Sequence, residues 1–400
     1  MDRRFFLRGS ALIGCSTAAH PFLSTVTLAG ADGGHPLGDH RLIVIILRGA
    51  MDGLDVVQPV GDPMFARYRP GLAVQPGAAD LDGFFALHAR LGALMPLWQA
   101  GELAFAHAVS TPYRDKRSHF DGQDLLEAGT GMDVPLGAVR DGWLNRLLQV
   151  VPGLQAETAY AVGSEAMPLL AGSAPMRSWT PDTALEMSSQ NRLLLEAIYH
   201  DDPLFQGASS EAMDLATGLT DGMAAAPAKG NDPARLAEID ALVDFAASRL
   251  REETRIAAFS QNGWDTHRGQ VAGIGRSLTR LERTILRLKE QLGPVWRTTT
   301  VLAMTEFGRT ARENGTNGTD HGTGGVMLMA GGAVRGGKVY GRWPGLAEAD
   351  LYDQRDLMPT GDVRAYAAWA MAGAYGLDRS VLERAVFPGL DLGDNPKFML

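Results

Sequence analysis

Cysteine is nearly missing: the 400-residue chain has one, Cys15, close to its start. A single thiol closes no internal disulfide and gives a metal no thiolate cluster. Apolar runs of the roughly 20 residues needed to span a bilayer are also missing. Past the first residues there is no extended basic tract, and the formal net charge is −9. Both features disfavour nucleic acid as a partner. The chain has no internal repeat, no low-complexity tract and no G-x-S-x-G elbow. The last absence ranks a metal-free serine hydrolase, with Ser118 as nucleophile, behind other enzymatic possibilities.

What the first residues do contain is Arg3-Arg4, then Phe5-Phe6-Leu7, then a modest apolar stretch to Ala31. This pattern predicts a twin-arginine export signal over residues 1–31, cut after Ala29-Gly30-Ala31. The export machinery is then a partner, and the mature protein is periplasmic or secreted. Leu12-Ile13-Gly14-Cys15 also resembles a lipoprotein box. Its apolar region is unusually short, so acylation at Cys15 ranks second. Cleavage removes Arg3, Arg4 and Arg8 against Asp2, which takes −9 to near −11 and leaves no cysteine.

Residues 32–400 read as a single α/β domain. Continuous apolar runs over Arg41–Leu47, Leu103–Val109, Ile256–Ser260 and Thr299–Thr305 predict central parallel strands. Shorter strands are expected within 159–170 and over 325–329 and 338–341. Helices are expected over 91–99, 119–128, 141–151, 181–202, 211–219, 234–251, 361–376 and 379–385. Val271, Ile274, Leu278, Leu281, Ile285, Leu288 and Leu292 trace one apolar stripe on a further helix. Residues 55–84 read as surface loop, and 221–233 as a loop inside the domain. The result is a three-layer α/β sandwich with a mostly parallel sheet.

Chemistry-bearing residues follow the strand ends, where open α/β sheets build their sites. Asp52 follows the first strand; an Asx-turn role is the alternative. Ser118-x-x-Asp121 is a capping-box pattern opening the helix at His119. The same hydroxyl, among Arg114, Lys116 and Arg117, sits where a helix start attracts an anionic group. Asp265-Thr266-His267 suits a shared metal or a structural pair. Glu306, Arg309 and Asp320-His321 complete the set after the last central strand.

The motifs RGAMDGL, RSHFDGQDLLE, GWDTH, TEFGRT and GTDHGTGG together resemble an exported family called domain of unknown function 1501. It is assigned to the sulfatase-like, alkaline phosphatase-like group, and the resemblance spans residues 41–390. It implies Asp52, Asp265, His267, Glu306, Asp320 and His321 as ligands of one or two divalent ions, Zn, Mn, Ca or Mg. It also implies Ser118 as nucleophile. His119 is a candidate general acid, and Arg309, Arg48 or Arg114 candidate clamps on anionic oxygens. The superfamily usually separates its Asp and His by three residues; here one intervenes. Its Asp-His usually follows the strand directly, where this chain has Glu306-Phe307, and the sulfatase cysteine is a serine here. The implied activity is metal-dependent hydrolysis of an anionic small-molecule or polymer ester of phosphate or sulfate. The alternative is a non-catalytic secreted binding or assembly protein with a co-exported partner.

Overall fold

The computed structural model describes residues 35–73, 76–114, 116–134, 141–181 and 233–400. Expectations for the leader, for Cys15 and for the helices and linker between 182 and 232 fall outside those residues.

The strand Arg41–Arg48 lies at the centre of the main sheet, paired in parallel with Ile256–Asn262 and Thr299–Met304. From one edge to the other the sheet runs Lys338–Tyr340, Leu103–Ser110, Gly325–Ala330, Thr299–Met304, Arg41–Arg48, Ile256–Asn262, Ala159–Val162, Arg177–Trp179. Gly361–Asp362 also pairs in parallel with the end of the Leu103–Ser110 strand. Gly325–Ala330 is antiparallel to both its neighbours, and the remaining pairings are parallel.

Burial on both faces explains the unbroken apolar strands. Leu42, Val44 and Ile46 enter one core with Trp143, Leu147 and Met371. Ile43, Ile45 and Leu47 enter the other with Leu278, Leu281 and Ile285. Each such side chain contributes roughly 1.5–3 kcal/mol by leaving water. Gln270–Leu292 packs its stripe inward from Ile274 onward, whereas Val271, expected in that stripe, is exposed. Arg283 and Arg287 tie this helix to Asp240 and Asp244 on the helix Pro233–Leu250. Val363–Tyr375 and Trp143–Val150 cover the opposite face. Helices on both faces give the three-layer α/β plan. Among the described residues no helix is long and apolar enough to cross a membrane.

One expectation fails clearly. Residues 55–84 are not simply surface loop. The turn Gly53–Val56 and the helix Pro63–Tyr68 lie there or at its edge, and Val57–Gln58, Ala79–Asp80 and Ala86–Leu87 form a small sheet. Asp55 and Arg69 in this stretch are fully buried. Residues 89–99 form a 3-10 turn followed by the short helix Met95–Gln99, in place of one continuous helix.

Candidate metal centre

Four parallel strands end on the same rim, and their following loops meet there. Ser118 caps the helix His119–Ala128, its Oγ accepting from the Asp121 N–H at 3.4 Å, so His119 is the first helical residue. Asp265 and His267 follow the strand Ile256–Asn262, and Glu306 follows Thr299–Met304. Backbone crowding explains the glycines. A Cβ on Gly49, at φ +118°, would lie 2.6 Å from the Asp265 nitrogen. One on Gly308 would lie 1.9 Å from the Gly324 carbonyl oxygen. Ala50 (φ 60°) and Arg117 (φ 54°) adopt left-handed conformations at the same rim, which is uncommon for residues with a Cβ.

Glu306 is fully buried. Its Oε1 receives the Gly49 N–H at 3.0 Å, Gln123 Nε2 at 3.1 Å and His119 Nδ1 at 2.8 Å. Thr305 donates to Oε2 at 2.8 Å. Burial pushes this carboxyl up, but the bonds from His119, its own backbone, Gln123 and Thr305 outweigh it and hold the group below its ordinary value. Asp320 is likewise held down despite burial, by Asn314 and His267. Its Oδ1 meets His267 Nδ1 at 3.1 Å and Asn314 Nδ2 at 3.1 Å. The third imidazole, His321, places Nδ1 2.8 Å from the Arg117 carbonyl oxygen.

These partners fix the tautomers. Ionised carboxylates and a carbonyl only accept hydrogen bonds, so all three Nδ1 atoms donate. In the neutral rings each Nε2 is then a bare lone pair. Those lone pairs converge: His267 and His321 Nε2 are 2.9 Å apart. Asp265 Oδ1 lies 3.1 Å from the first and 3.5 Å from the second. His119 Nε2 is 3.6 Å from Asp265 Oδ2, buried and without a hydrogen-bond partner. His119, Asp265 and His321 each place one ligand atom within 4.8 Å of the other two. Bonds of ~2.0–2.2 Å to one ion would set neighbouring donors roughly 2.9–3.5 Å apart, so the spacing fits. Hydrogen bonds to Asp265 and then Glu306 raise the His119 pKa to about 9, with burial opposing. Asp265 is driven well below the carboxylate range: burial opposes this, but His119, His321 and Arg309 prevail.

Phe307 forms the apolar wall of the centre. It stacks on His119 with centroids 5.4 Å apart and on Tyr113 at 5.8 Å, and lies 5.3 Å from His321. Gly122 gives it room, since a Cβ there would come within 2.8 Å of the ring.

The expected residues therefore divide. Asp265, His267 and His321 come together, and His119, expected as a general acid, joins them. Glu306 and Asp320, expected as ligands, instead face the Nδ1 atoms of His119 and His267. Asp52 is not in the cluster: Arg69 Nη1 takes its Oδ2 at 2.8 Å. Arg309, expected to clamp an anion, is buried and spent on Asp265 Oδ1 at 2.8 Å and on Thr319. Arg48 is likewise engaged by Glu127 at 2.7 Å and Gln123, and Arg114 donates to the Thr111 and Tyr113 carbonyls. Lys116 and Arg117 are exposed beside the helix start. Sequence reasoning missed Arg69, Gln123 and Asn314. Of these only Asn314 left a local mark, its position in an Asn-Gly turn.

The structure is similar to that of a protein in the alkaline phosphatase superfamily from Vibrio parahaemolyticus, at 12% identity and TM-score 0.37. That match covers 77% of this chain and 63% of the other, so the chain spans under two thirds of that protein. The lipoteichoic acid synthase LtaP from Listeria monocytogenes matches at 9% identity and TM-score 0.42, over 92% of this chain and 79% of its own. The PsFucS1 sulfatase from Pseudoalteromonas sp. matches at 14% identity and TM-score 0.40, over 90% and 73%. No curated protein matches the chain. A family model described as a protein of unknown function matches residues 39–384, and the chain belongs to that family, DUF1501.

Proposed function

We propose that this chain is an exported metal-dependent hydrolase of phosphate or sulfate esters. The observation that carries the reading is the meeting of the Nε2 atoms of His119, His267 and His321 with the Asp265 carboxylate. His119, Asp265, His267 and His321 would hold the ion. Glu306 and Asp320 would orient His119 and His267 and raise their basicity, as partners behind metal ligands do. An imidazole-rich set suits Zn, or Mn, better than Ca or Mg, which favour oxygen-only shells.

When bound, the ion supplies Lewis acidity, lowering the pKa of an oxygen nucleophile and steadying a leaving oxygen. Lys116 and Arg117 are the exposed cations that would draw an anionic ester to the rim. Ser118, next to His119 in the chain, offers a hydroxyl nucleophile; its Ala variant is expected to lose turnover by orders of magnitude. The twin arginine supports export to the periplasm or beyond.

The test is to express the mature chain, measure bound metal by mass spectrometry, and assay aryl phosphate and aryl sulfate. Bound metal with turnover that His321→Ala abolishes supports the proposal. A metal-free, inactive chain whose His321→Ala variant is equally stable would sink it. One observation favours the second reading, a non-catalytic assembly protein on this fold. Asp52, Glu306 and Arg309 already have internal partners. Capture of a co-exported protein by a metal-free chain would support that reading.

A further inference from the structure

The geometry points to a centre that takes one ion only, because Arg69 fills the place at Asp52 that a second ion would need. The inference rests on the metal-binding reading above and departs from what the family resemblance implies for Asp52. Asp52 is committed to partners inside the protein. Its Oδ2 receives Arg69 Nη1 at 2.8 Å and Gln270 Nε2 at 2.6 Å. Its Oδ1 receives the Leu54 N–H at 3.2 Å. Three donors, one of them a guanidinium, thus engage both oxygens of the carboxylate.

Arg69 is pinned independently, with Nε on the Ala311 carbonyl at 3.0 Å and Nη2 on that of Thr310 at 2.7 Å. The guanidinium is fully buried. Its charge is permanent, so a divalent ion at Asp52 would face a buried cation already paired with that carboxylate. Gln270 closes the other side by donating also to Asp55 Oδ2 at 2.8 Å. The same network supports the ion-binding side. Thr319 Oγ1, which donates to Gln270 Oε1 at 2.7 Å, accepts from Arg309 Nε at 3.2 Å, and Arg309 holds Asp265.

The test is metal stoichiometry of the mature chain by mass spectrometry after zinc loading, with affinity by chelator competition. Cobalt substitution gives an absorption spectrum of the ligand set. The wild type is expected to bind one ion. Asp265→Asn is expected to lose affinity by at least about tenfold. Asp52→Asn is expected to keep one ion and an unchanged cobalt spectrum. If that variant fails to fold, Asp52→Asn with Arg69→Gln removes both charges together, and the same result is expected. Two ions per chain, or loss of the ion in the Asp52 variants, would overturn the inference while leaving the hydrolase reading standing. A wild-type chain that binds no ion overturns both.

Discussion

Glu306 shows how much one side chain governs at the rim. It receives four hydrogen bonds and sets the proton position on His119. Glu306→Gln removes the buried charge that the His119, Gln123 and Gly49 donors converge on, weakening charge-assisted bonds at a cost of about 1–3 kcal/mol. The expected result is a lower unfolding midpoint and a 10–100-fold loss of metal affinity, read by chelator competition. A separate residue-level prediction concerns His107, buried between Val57, Phe85 and Trp343. Burial drives its pKa down to about 4. Between that value and about 6.5 the unfolded chain takes up a proton that the native chain refuses. Stability is therefore complete above pH 6.5 and falls as pH drops towards 4, by up to the order of 3 kcal/mol. His107→Gln keeps a donor for the Val57 carbonyl and should flatten this part of the stability profile. An unchanged slope in chemical denaturation would refute the assignment.

The strands and long helices were legible as elements because their signals are long. The run Arg41–Leu47 extends by one residue to Arg48, and the stripe from Ile274 to Leu292 is buried as its spacing requires. Apart from the strand at Lys338–Tyr340, elements of two or three residues left no such signal. Val57–Gln58, Ala79–Asp80 and Arg177–Trp179 exist because neighbours pair with them, not because of local propensity. The stretch holding Arg69 read as loop because its burial depends on Asp52, 17 positions earlier, and on the carbonyls of Thr310 and Ala311. The site was half legible for the same reason. Motifs at strand ends named Asp265, His267 and His321. Whether a carboxylate meets the ion or an Nδ1 atom is a matter of ångströms that spacing does not encode. At this scale Gly49→Ala is the sharpest probe, because the added Cβ meets the backbone that carries Asp265. Overpacking and the positive φ together should cost roughly 2–4 kcal/mol, measured by denaturant unfolding, with metal affinity falling in parallel.

Across the whole molecule, an acidic chain with one cysteine is joined to a twin-arginine start. That pairing suits export after folding, when the loops from four strand ends have already enclosed the centre. Replacing Arg3 and Arg4 together with lysine should trap the protein in the cytoplasm, as cell fractionation would show. Equal export of the variant would remove the localisation from the account. The centre itself is the claim on which the chemistry depends, and X-ray absorption spectroscopy of the zinc-loaded mature chain addresses it directly. The expected spectrum has three imidazole nitrogens and carboxylate oxygen at ~2.0–2.2 Å, with imidazole scattering diminished in His321→Ala. A shell of oxygen alone, or one indifferent to that substitution, would contradict the account.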